Sequence, residues 1–422
     1  MRNQGSTEWF WLNRIEHRQV GWWAMPTLQV SQFLPYPLLP TPYSLLPTPS
    51  VPMDLLNATI QNPPQDASPT RATSPNALRW CGINPNFWYV VAQSTELTDK
   101  PLAVTLWHQS IVLFRDSEGA VKALEDRCPH RQVKLSEGHV DGDNLICAYH
   151  GWHFAADGSC THVPYLEPQQ KLPTCTLRQY PVIEQDGFIW LFPGDASLAE
   201  EKPLLGVPEW EHLNYIGSAA VIDVNAHFSF LIENLMDMYH GHLHGEAQVW
   251  ANPVLSSLEM TPDRIHAHYD AESYYRVDKI WSVSQLFIPA LRKLHPEPLD
   301  VHYFYPHWMA TLGDDFKLYC LFCPVDETRT RAYLLHFTSL NRFTNLHKSP
   351  LPVRRAMKRM FTNSASHVLR RLIREDVLML EQEQAAFESN PDYKGPELNR
   401  ALISVQQVIR EQAKIASKPQ GT

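Results

Sequence analysis

The stretch Cys128-Pro129-His130, followed after sixteen residues by Cys147-Ala148-Tyr149-His150, decides how this chain is interpreted. Each half supplies one cysteine and one histidine. Thiolates favour iron–sulfur clusters or zinc, and imidazoles bind zinc or iron. The spacing therefore predicts a metal centre held between two loops.

Two kinds of metal centre use this set of donors. A Rieske [2Fe–2S] cluster has two cysteines on one iron and two histidines on the other. A Cys2His2 zinc site is the alternative, but such sites usually pair cysteine with cysteine and histidine with histidine along the chain. The mixed pairs favour the Rieske cluster, whose neutral imidazoles raise its reduction potential.

A second group of metal-binding side chains follows Phe228, where the pattern predicts a helix. Asp237, His240 and His244 stand at i, i+3 and i+7, so on a helix they would share one face. Two histidines and one carboxylate with open coordination positions form the facial triad of non-haem Fe(II) oxygenases. The alternatives are a helix with satisfied polar residues, a zinc site that also uses His242, and a zinc hydrolase that uses His240 and His244.

Both motifs resemble those of the Rieske non-haem iron oxygenases. Cys128-Pro129-His130-Arg131 and Cys147-Ala148-Tyr149-His150-Gly151-Trp152 are similar to the cluster motif of ring-hydroxylating oxygenases. Glu233-Asn234-Leu235-Met236-Asp237, followed by His240, is similar to the iron-site motif of their catalytic subunits. The resemblance covers about residues 80–390 and is strongest to monooxygenases and to the pheophorbide and chlorophyllide a oxygenase-like group.

The resemblance implies a role for each candidate residue. A [2Fe–2S] cluster would be held by Cys128, His130, Cys147 and His150, and a mononuclear Fe(II) by His240, His244 and Asp376. Asp237 would not be a ligand; it would hydrogen-bond His240 and a cluster histidine of a neighbouring subunit and so connect the two sites. Many members place the second histidine five residues after the first, whereas here His244 follows His240 after four. His242 is therefore kept as a less favoured alternative to His244 as the second ligand.

The carboxylate ligand is expected from the stretch Leu372–Glu381, which contains three candidate acidic residues: Glu375, Asp376 and Glu381. On a helix, the neighbours of Asp376 at i±3 and i±4 are all apolar: Leu372, Ile373, Met379 and Leu380. An acid in an apolar face is costly unless it is paired or metal-bound. Glu375 and Glu381 each have a polar neighbour and can reach solvent. Asp376 is thus the preferred ligand, with a buried salt bridge to an arginine as the alternative.

The pattern of strands and helices predicts an α+β fold. Short aromatic and β-branched runs with turn signals indicate a small antiparallel domain over 77–200. Strands are then predicted at Ser218–Val224, Ile265–Val277, Val301–Leu312, Leu318–Val325 and Ala332–Leu340, with helices at Pro352–Ser389 and Pro396–Ala416. The family resemblance implies an all-β Rieske domain over 77–200 and a helix-grip catalytic domain over 201–422.

The implied function is an O2-dependent mono- or dioxygenase that hydroxylates or dealkylates an aromatic or other hydrophobic ring-containing substrate. No glycine-rich nucleotide-binding fingerprint is present, so electrons would come from a separate ferredoxin, flavin reductase or both. In the family, the cluster and the iron of one chain are too far apart, which implies a head-to-tail homotrimer. An electron-transfer protein without oxygenase activity is the alternative.

Composition narrows the class of protein and its location. The 422 residues suffice for two domains, and the net charge of −9 argues against nucleic acid as a partner. Seven cysteines, two of them assigned to the cluster, favour an intracellular protein without disulfides. No apolar run could span a bilayer and no secretory signal is visible. A cytoplasmic protein is expected, with peripheral contact to a membrane as the alternative.

Residues 1–76 differ in composition from the rest of the chain. Twelve of the 34 prolines fall within residues 1–75, which blocks helices and sheet ladders. A disordered extension is expected, or one that is not translated if synthesis begins at Met53; a proline-rich ligand for an adaptor domain is the alternative.

Two further features are given structural interpretations. Cys320 and Cys323 lie in a strand pattern, where residues three apart face opposite sides, so they are expected in the core. The basic residues between Arg354 and Arg374 are expected on a solvated helix face, with docking of an acidic ferredoxin or a membrane surface as the alternative.

Overall fold

The computed structural model describes residues 77–247, 250–273, 294–342 and 346–417. The proline-rich extension predicted over 1–76 lies outside these residues. Among the described helices, none combines the length and apolar character needed to cross a membrane.

Ten short strands form the N-terminal part. Their bounds are β1 Tyr89–Gln93, β2 Leu102–Leu106, β3 Gln109–Arg115, β4 Val121–Glu125, β5 His139–Asp141, β6 Asn144–Ile146, β7 His153–Phe154, β8 Cys160–His162, β9 Val182–Gln185 and β10 Phe188–Leu191. They pair in three antiparallel sheets, ordered β1-β10-β9, β2-β3-β4 and β5-β6-β7-β8. The small all-β domain predicted for this region is therefore present.

Seven longer strands form one antiparallel sheet in the C-terminal part. They are β11 Tyr215–Val224, β12 Trp250–Met260, β13 Arg264–Ser273, β14 His295–Phe304, β15 His307–Leu312, β16 Phe316–Asp326 and β17 Arg329–Ser339. Their order is β11-β17-β16-β15-β14-β13-β12. The single strand predicted over Val301–Leu312 is wrong: the chain turns at Tyr305-Pro306 and forms the hairpin β14–β15. β12 was not predicted.

In the described part of the chain the α-helices are α1 Phe228–Met236, α2 Leu351–Phe361, α3 Ser366–Ser389 and α4 Arg400–Ser417. The single helix predicted over Pro352–Ser389 is two helices, because Asn363 adopts a φ of 64° between them. The Asn363 amide donates to Gly217 O, and its side-chain oxygen accepts from Ala219 N on β11. Pairing with this edge strand ends α2 and sets the start of α3.

The two faces of the large sheet contact different partners, as the two-residue period of a strand requires. On one face, Tyr319, Leu321 and Tyr333 pack with Trp190 and Phe188 of the N-terminal domain. The other, which we call the inner face, belongs to the same hydrophobic cluster as α1, α3 and α4. The candidate ligands of the second site lie on this side. Cys320 and Cys323 are 0% and 2% exposed, which confirms their predicted place in the core.

Candidate metal centres

Two loops of the same shape carry the first four candidate ligands. The amide of Gln132 donates to Cys128 O at 2.8 Å, and the amide of Gly151 donates to Cys147 O at 3.0 Å. Gln132 and Gly151 both have a left-handed φ, of 62° and 65°. A Cβ on Gly151 would lie 3.0 Å from Pro164 Cγ, so both conformation and space favour glycine there.

The two cysteines lie beneath these loops. Cys128 and Cys147 are 1% and 2% exposed and belong to the cluster of apolar side chains that includes Leu145 and Phe154. Burial and, to a lesser degree, the adjacent Cys147 thiol raise the pKa of Cys128 to about 11. Two thiols therefore share one buried site, and a cation is needed to favour their thiolate forms.

The two histidines lie closer to the surface than the cysteines. The rings of His130 and His150 are 4.5 Å apart, and His130 stacks on Trp152 at 4.8 Å. His130 Nδ1 is buried and has no hydrogen-bond partner among the described residues. Such an atom is costly unless something binds it. Two adjacent thiols, two adjacent imidazoles and this unpartnered nitrogen fit a Rieske [2Fe–2S] cluster.

The second site begins where α1 ends, and the prediction of one helix carrying Asp237, His240 and His244 is wrong. Asp237 leaves the helical conformation with φ −90° and ψ 104°. Its Oδ1 accepts a hydrogen bond from Tyr239 N at 2.9 Å, a local bond that competes with helix continuation. Residues Met238–Ala247 continue as 3-10 turns instead.

The structure nevertheless brings His240, His244 and Asp376 together. One ligand atom from each lies within 4.8 Å of the others. Asp376 Oδ1 is 3.7 Å from His240 Nε2 and 3.5 Å from His244 Nε2. Ligand atoms that bind one ion at about 2.1 Å lie roughly 3–4 Å apart, so these separations fit a shared ion. His242 is exposed and outside the group, and its Nδ1 lies 3.4 Å from Tyr239 O.

The electrostatics of this group favour binding of a cation. Burial raises the pKa of the Asp376 carboxyl and lowers the pKa of His240. His240 Nδ1 is also buried without a hydrogen-bond partner in the described part of the chain. Burial disfavours the charged form of both groups. A divalent cation would favour the charged carboxylate form of Asp376, and the neutral imidazoles could serve as its ligands.

Two residues that orient this group were missed by the sequence analysis. Glu375 was expected to reach solvent, but its Oε2 lies 3.3 Å from His244 Nδ1. Asn234 Nδ2 donates to Asp376 Oδ1 at 3.4 Å. Glu375 precedes Asp376 and Asn234 belongs to the quoted motif, so both were visible as polar neighbours. Only the fold shows which atoms they contact.

Asp237 lies beside the group. Its Oδ1 also accepts from Asn399 Nδ2 at 3.1 Å, a contact that the sequence did not suggest. Among the described hydrogen bonds, none joins the Asp237 carboxylate to His240, the bond that the family resemblance implies.

An ion pair joins α1 to Arg79, which lies before β1. Arg79 Nη1 and Nη2 donate to the two carboxylate oxygens of Glu233 at 2.7 and 2.9 Å. The guanidinium also lies 3.6 Å from the centre of the Phe230 ring. Bidentate geometry of this kind restrains both side chains. The helix that precedes the second site is thus held at a defined position.

A small apolar pocket adjoins the second site. Its lining residues are Met238, Trp250, Leu299, Trp308, Ala310, Leu312, Phe316 and Leu318. A larger cavity, of about 550 Å³, lies elsewhere and is lined by none of the candidate ligands. Because Met238 is two residues from His240, we regard the small pocket as the one relevant to the chemistry.

Comparison with known proteins identifies the class. The Rieske [2Fe-2S] domain model matches residues 87–181. The chain is 35% identical over 348 residues to the 4beta-methylsterol monooxygenase of Methylococcus capsulatus, covering 80% of this chain and 90% of that protein. The chain therefore belongs to the Rieske non-haem iron oxygenases.

Other relatives match over shorter regions. The oxygenase component of dicamba O-demethylase from Stenotrophomonas maltophilia is 37% identical over 157 residues, 37% of this chain and 45% of that one. Chlorophyllide a oxygenase of Chlamydomonas reinhardtii is 36% identical over 172 residues, 40% and 26% of the two chains. A crystal structure of dicamba monooxygenase has the same fold, with a TM-score of 0.62 and 22% identity. The match covers 80% of this chain and 100% of that chain.

Family membership confirms several predictions. The protein is an O2-dependent oxidoreductase with a [2Fe–2S] cluster and a mononuclear non-haem iron, and its electrons come from a donor. The predicted fold class, a Rieske β domain followed by a catalytic domain of sheet and helices, is confirmed. An electron-transfer protein without oxygenase activity is not supported. The domain limits at 76 and 200 stay predictions.

Proposed function

We propose that this oxygenase hydroxylates a C–H bond, on a methyl group or ring carbon, of a largely apolar fused-ring substrate similar to a methylsterol. The likeness to a methylsterol monooxygenase over 90% of that protein's length supports this substrate class. The lining of the pocket beside Met238, which contains no charged side chain, supports it as well. Ionic substrates would lose hydration there without gaining a partner.

The observation that carries the site assignment is the convergence of His240 Nε2, His244 Nε2 and Asp376 Oδ1. These three atoms would hold Fe(II), and Cys128, His130, Cys147 and His150 would hold the [2Fe–2S] cluster. When bound, the iron supplies O2 activation and the cluster supplies single electrons.

The protein's own residues prepare this site for the metal. Glu375 accepts a hydrogen bond from Nδ1–H of His244, so His244 keeps Nε2 free of a proton and directed at Asp376. Asn234 restrains the Asp376 carboxylate from the other side. Met238 and Trp250 line the apolar pocket next to the segment that carries His240 and His244.

Finer statements about partners belong to the same proposal. We infer that the electron donor is a flavin reductase, with or without a ferredoxin, and that the protein is a head-to-tail homotrimer. Asp237 would then connect His240 with a cluster histidine of the next subunit. A cytoplasmic location, with peripheral contact to a membrane as the alternative, stays a prediction.

Metal analysis tests the ligand assignment. Anaerobically purified protein should contain roughly three irons and two acid-labile sulfides per chain, with a Rieske EPR signal after dithionite. Asp376→Ala should lose about one iron and keep the EPR signal, because only the mononuclear site is affected. Glu381→Gln on the same helix, as the matched control, should keep all the iron. Retention of the third iron by Asp376→Ala would refute the assignment.

A further inference from the structure

A row of small side chains crosses the inner face of the large sheet, the face that packs in the same cluster as α1, α3 and α4. Strand register aligns three small or medium side chains in one row: Ala267, Val301 and Ala310. The rows on either side are larger: Tyr269, Leu299 and Leu312 on one, Ile265, Tyr303 and Trp308 on the other. All belong to one hydrophobic cluster. We call the row Ala267, Val301 and Ala310 the central trough, because its buried side chains are smaller than those of the two rows beside it.

The small pocket lies over the β15 end of this trough. Ala310 belongs to both, with Leu299 and Leu312 as one wall. Met238 and Trp250 line the pocket from the segment that carries the iron ligands and from β12. The pocket therefore lies between the trough and the segment that carries His240 and His244. Because no charged side chain lines the pocket, a carboxylate or phosphate would have no counter-ion in it.

One polar atom in the lining of the small pocket lacks a partner; the hydroxyls of Tyr269 and Tyr303, in the rows beside the trough, also have none among the described residues. Trp308 is 3% exposed, and its Nε1 has no hydrogen-bond partner among the described residues. The other tryptophan of the pocket, Trp250, donates its Nε1–H to Met238 O at 3.1 Å. Buried indoles elsewhere do the same: Trp88 Nε1 donates to Lys202 O and Trp190 Nε1 to Gln185 O. An indole N–H can only donate, so Trp308 lacks an acceptor.

We propose that Trp308 Nε1 donates a hydrogen bond to a hydroxyl or carbonyl oxygen of the substrate, whose fused rings lie in the central trough. This inference rests on the proposed function and narrows it: the substrate is a neutral fused-ring alcohol or ketone, not a hydrocarbon and not an acid. A site built to bond an oxygen rejects an analogue without it, because the buried donor is again left unpaired.

Equilibrium binding to the anaerobic holoenzyme tests the proposal without turnover. The probes are a 4-methylated 3-hydroxysterol and the same sterol with hydrogen in place of the 3-hydroxyl. The wild type should bind the hydroxysterol about tenfold more tightly, the ratio expected for one hydrogen bond between neutral groups. Trp308→Phe should bind both probes equally, with the deoxy probe unaffected. Trp88→Phe, which loses an indole N–H outside the trough, should keep the wild-type ratio.

The outcomes separate this inference from the proposed function. Equal binding of both probes by the wild type, or an unchanged ratio in Trp308→Phe, would overturn the role of Trp308. Failure of both probes to bind, with iron and sulfide content intact, would overturn the fused-ring occupant and leave the metal sites standing. Loss of the mononuclear iron in wild-type protein would instead count against the proposed function.

A second variant covers the case in which Trp308→Phe does not fold. Ala310→Leu places a larger side chain in the central trough. It should weaken the binding of both sterols by a similar factor, without changing the iron content. Unchanged affinity for both sterols in Ala310→Leu would show that the trough does not hold the rings.

Discussion

His244 shows how single side chains prepare the second site. Its two ring nitrogens have different partners, since Nδ1 lies beside Glu375 and Nε2 beside Asp376. A carboxylate on one nitrogen fixes the tautomer and makes the other a better ligand. If His244 binds the iron as proposed, Glu375 would act on the metal through His244 and would be a positioning residue.

Replacing Glu375 tests this role. Glu375→Ala should weaken Fe(II) affinity by about 10- to 100-fold, the range measured for partners of ligating histidines. Chelator competition on the anaerobic protein measures it. Glu388, on the same helix, accepts a hydrogen bond from Gln384, so Glu388→Ala should leave the affinity unchanged. Equal affinities for the two variants would remove Glu375 from the site.

Gly151 allows a comparable test at the cluster loops. Gly151→Ala places a Cβ 3.0 Å from Pro164 Cγ at a φ of 65°, so acid-labile sulfide and visible absorbance should both fall. Gly119→Ala has a similar φ of 81° with nothing within 4 Å of the new Cβ, and should keep its cluster. If both variants lost the cluster equally, backbone strain alone would be responsible and the close approach to Pro164 would not matter.

At the scale of elements, the position of α1 depends on a contact made 154 residues away along the chain. Arg79 precedes the first strand, yet it pairs with Glu233 on α1, and the two side chains are 14% and 11% exposed. Removal of one partner from a buried pair leaves an uncompensated charge, which costs more than the pair contributes. Arg79 is therefore part of the scaffold that positions α1 next to the proposed iron site.

Arg79→Met should lower the free energy of unfolding by about 3 kcal/mol, because it leaves Glu233 buried without its partner. Urea unfolding measures this change. The double variant Arg79→Met with Glu233→Gln should recover part of the loss. Arg115→Met provides the control: its bidentate pair with Glu184 is 26% and 33% exposed, so the loss should be below about 1 kcal/mol. Similar losses for Arg79→Met and Arg115→Met would argue against the scaffold role.

At the scale of the whole molecule, a buried histidine joins the two domains. His307 Nε2 donates to Trp88 O at 3.0 Å, and His307 Nδ1 accepts from Phe322 N at 3.1 Å. Both nitrogens are satisfied only in the neutral form. Burial lowers the pKa of His307 to about 3, against the smaller opposing effect of the Trp88 carbonyl.

This histidine predicts acid sensitivity. A histidine in the unfolded chain has a pKa of about 6.5. Between that pH and about 3, the histidine is protonated in the unfolded chain and neutral in the folded protein. The free energy of unfolding should therefore fall as the pH drops through this window, by up to about 1.4 kcal/mol per pH unit for His307. His307→Gln should reduce that slope in urea titrations, while His139→Gln, at an exposed residue, should not. An unchanged slope in His307→Gln would contradict the prediction.

The sequence by itself determined the class of protein and the identity of the candidate ligands. Cysteine and histidine spacing, and the order of motifs along the chain, are local properties that a linear sequence displays. The family and fold class are confirmed. The ligand roles of Cys128, His130, Cys147, His150, His240, His244 and Asp376 stay predictions with supporting geometry.

The tertiary structure decided what depends on contacts distant in sequence. Periodicity predicted a continuous helix through His244, but the side chain of Asp237 bonds the Tyr239 amide and the helix stops at Met236. The pairing of Glu375 with His244 and the row of residues in the central trough depend on helix placement and strand register. Neither is encoded in local spacing, because each is set by packing between segments far apart in the chain.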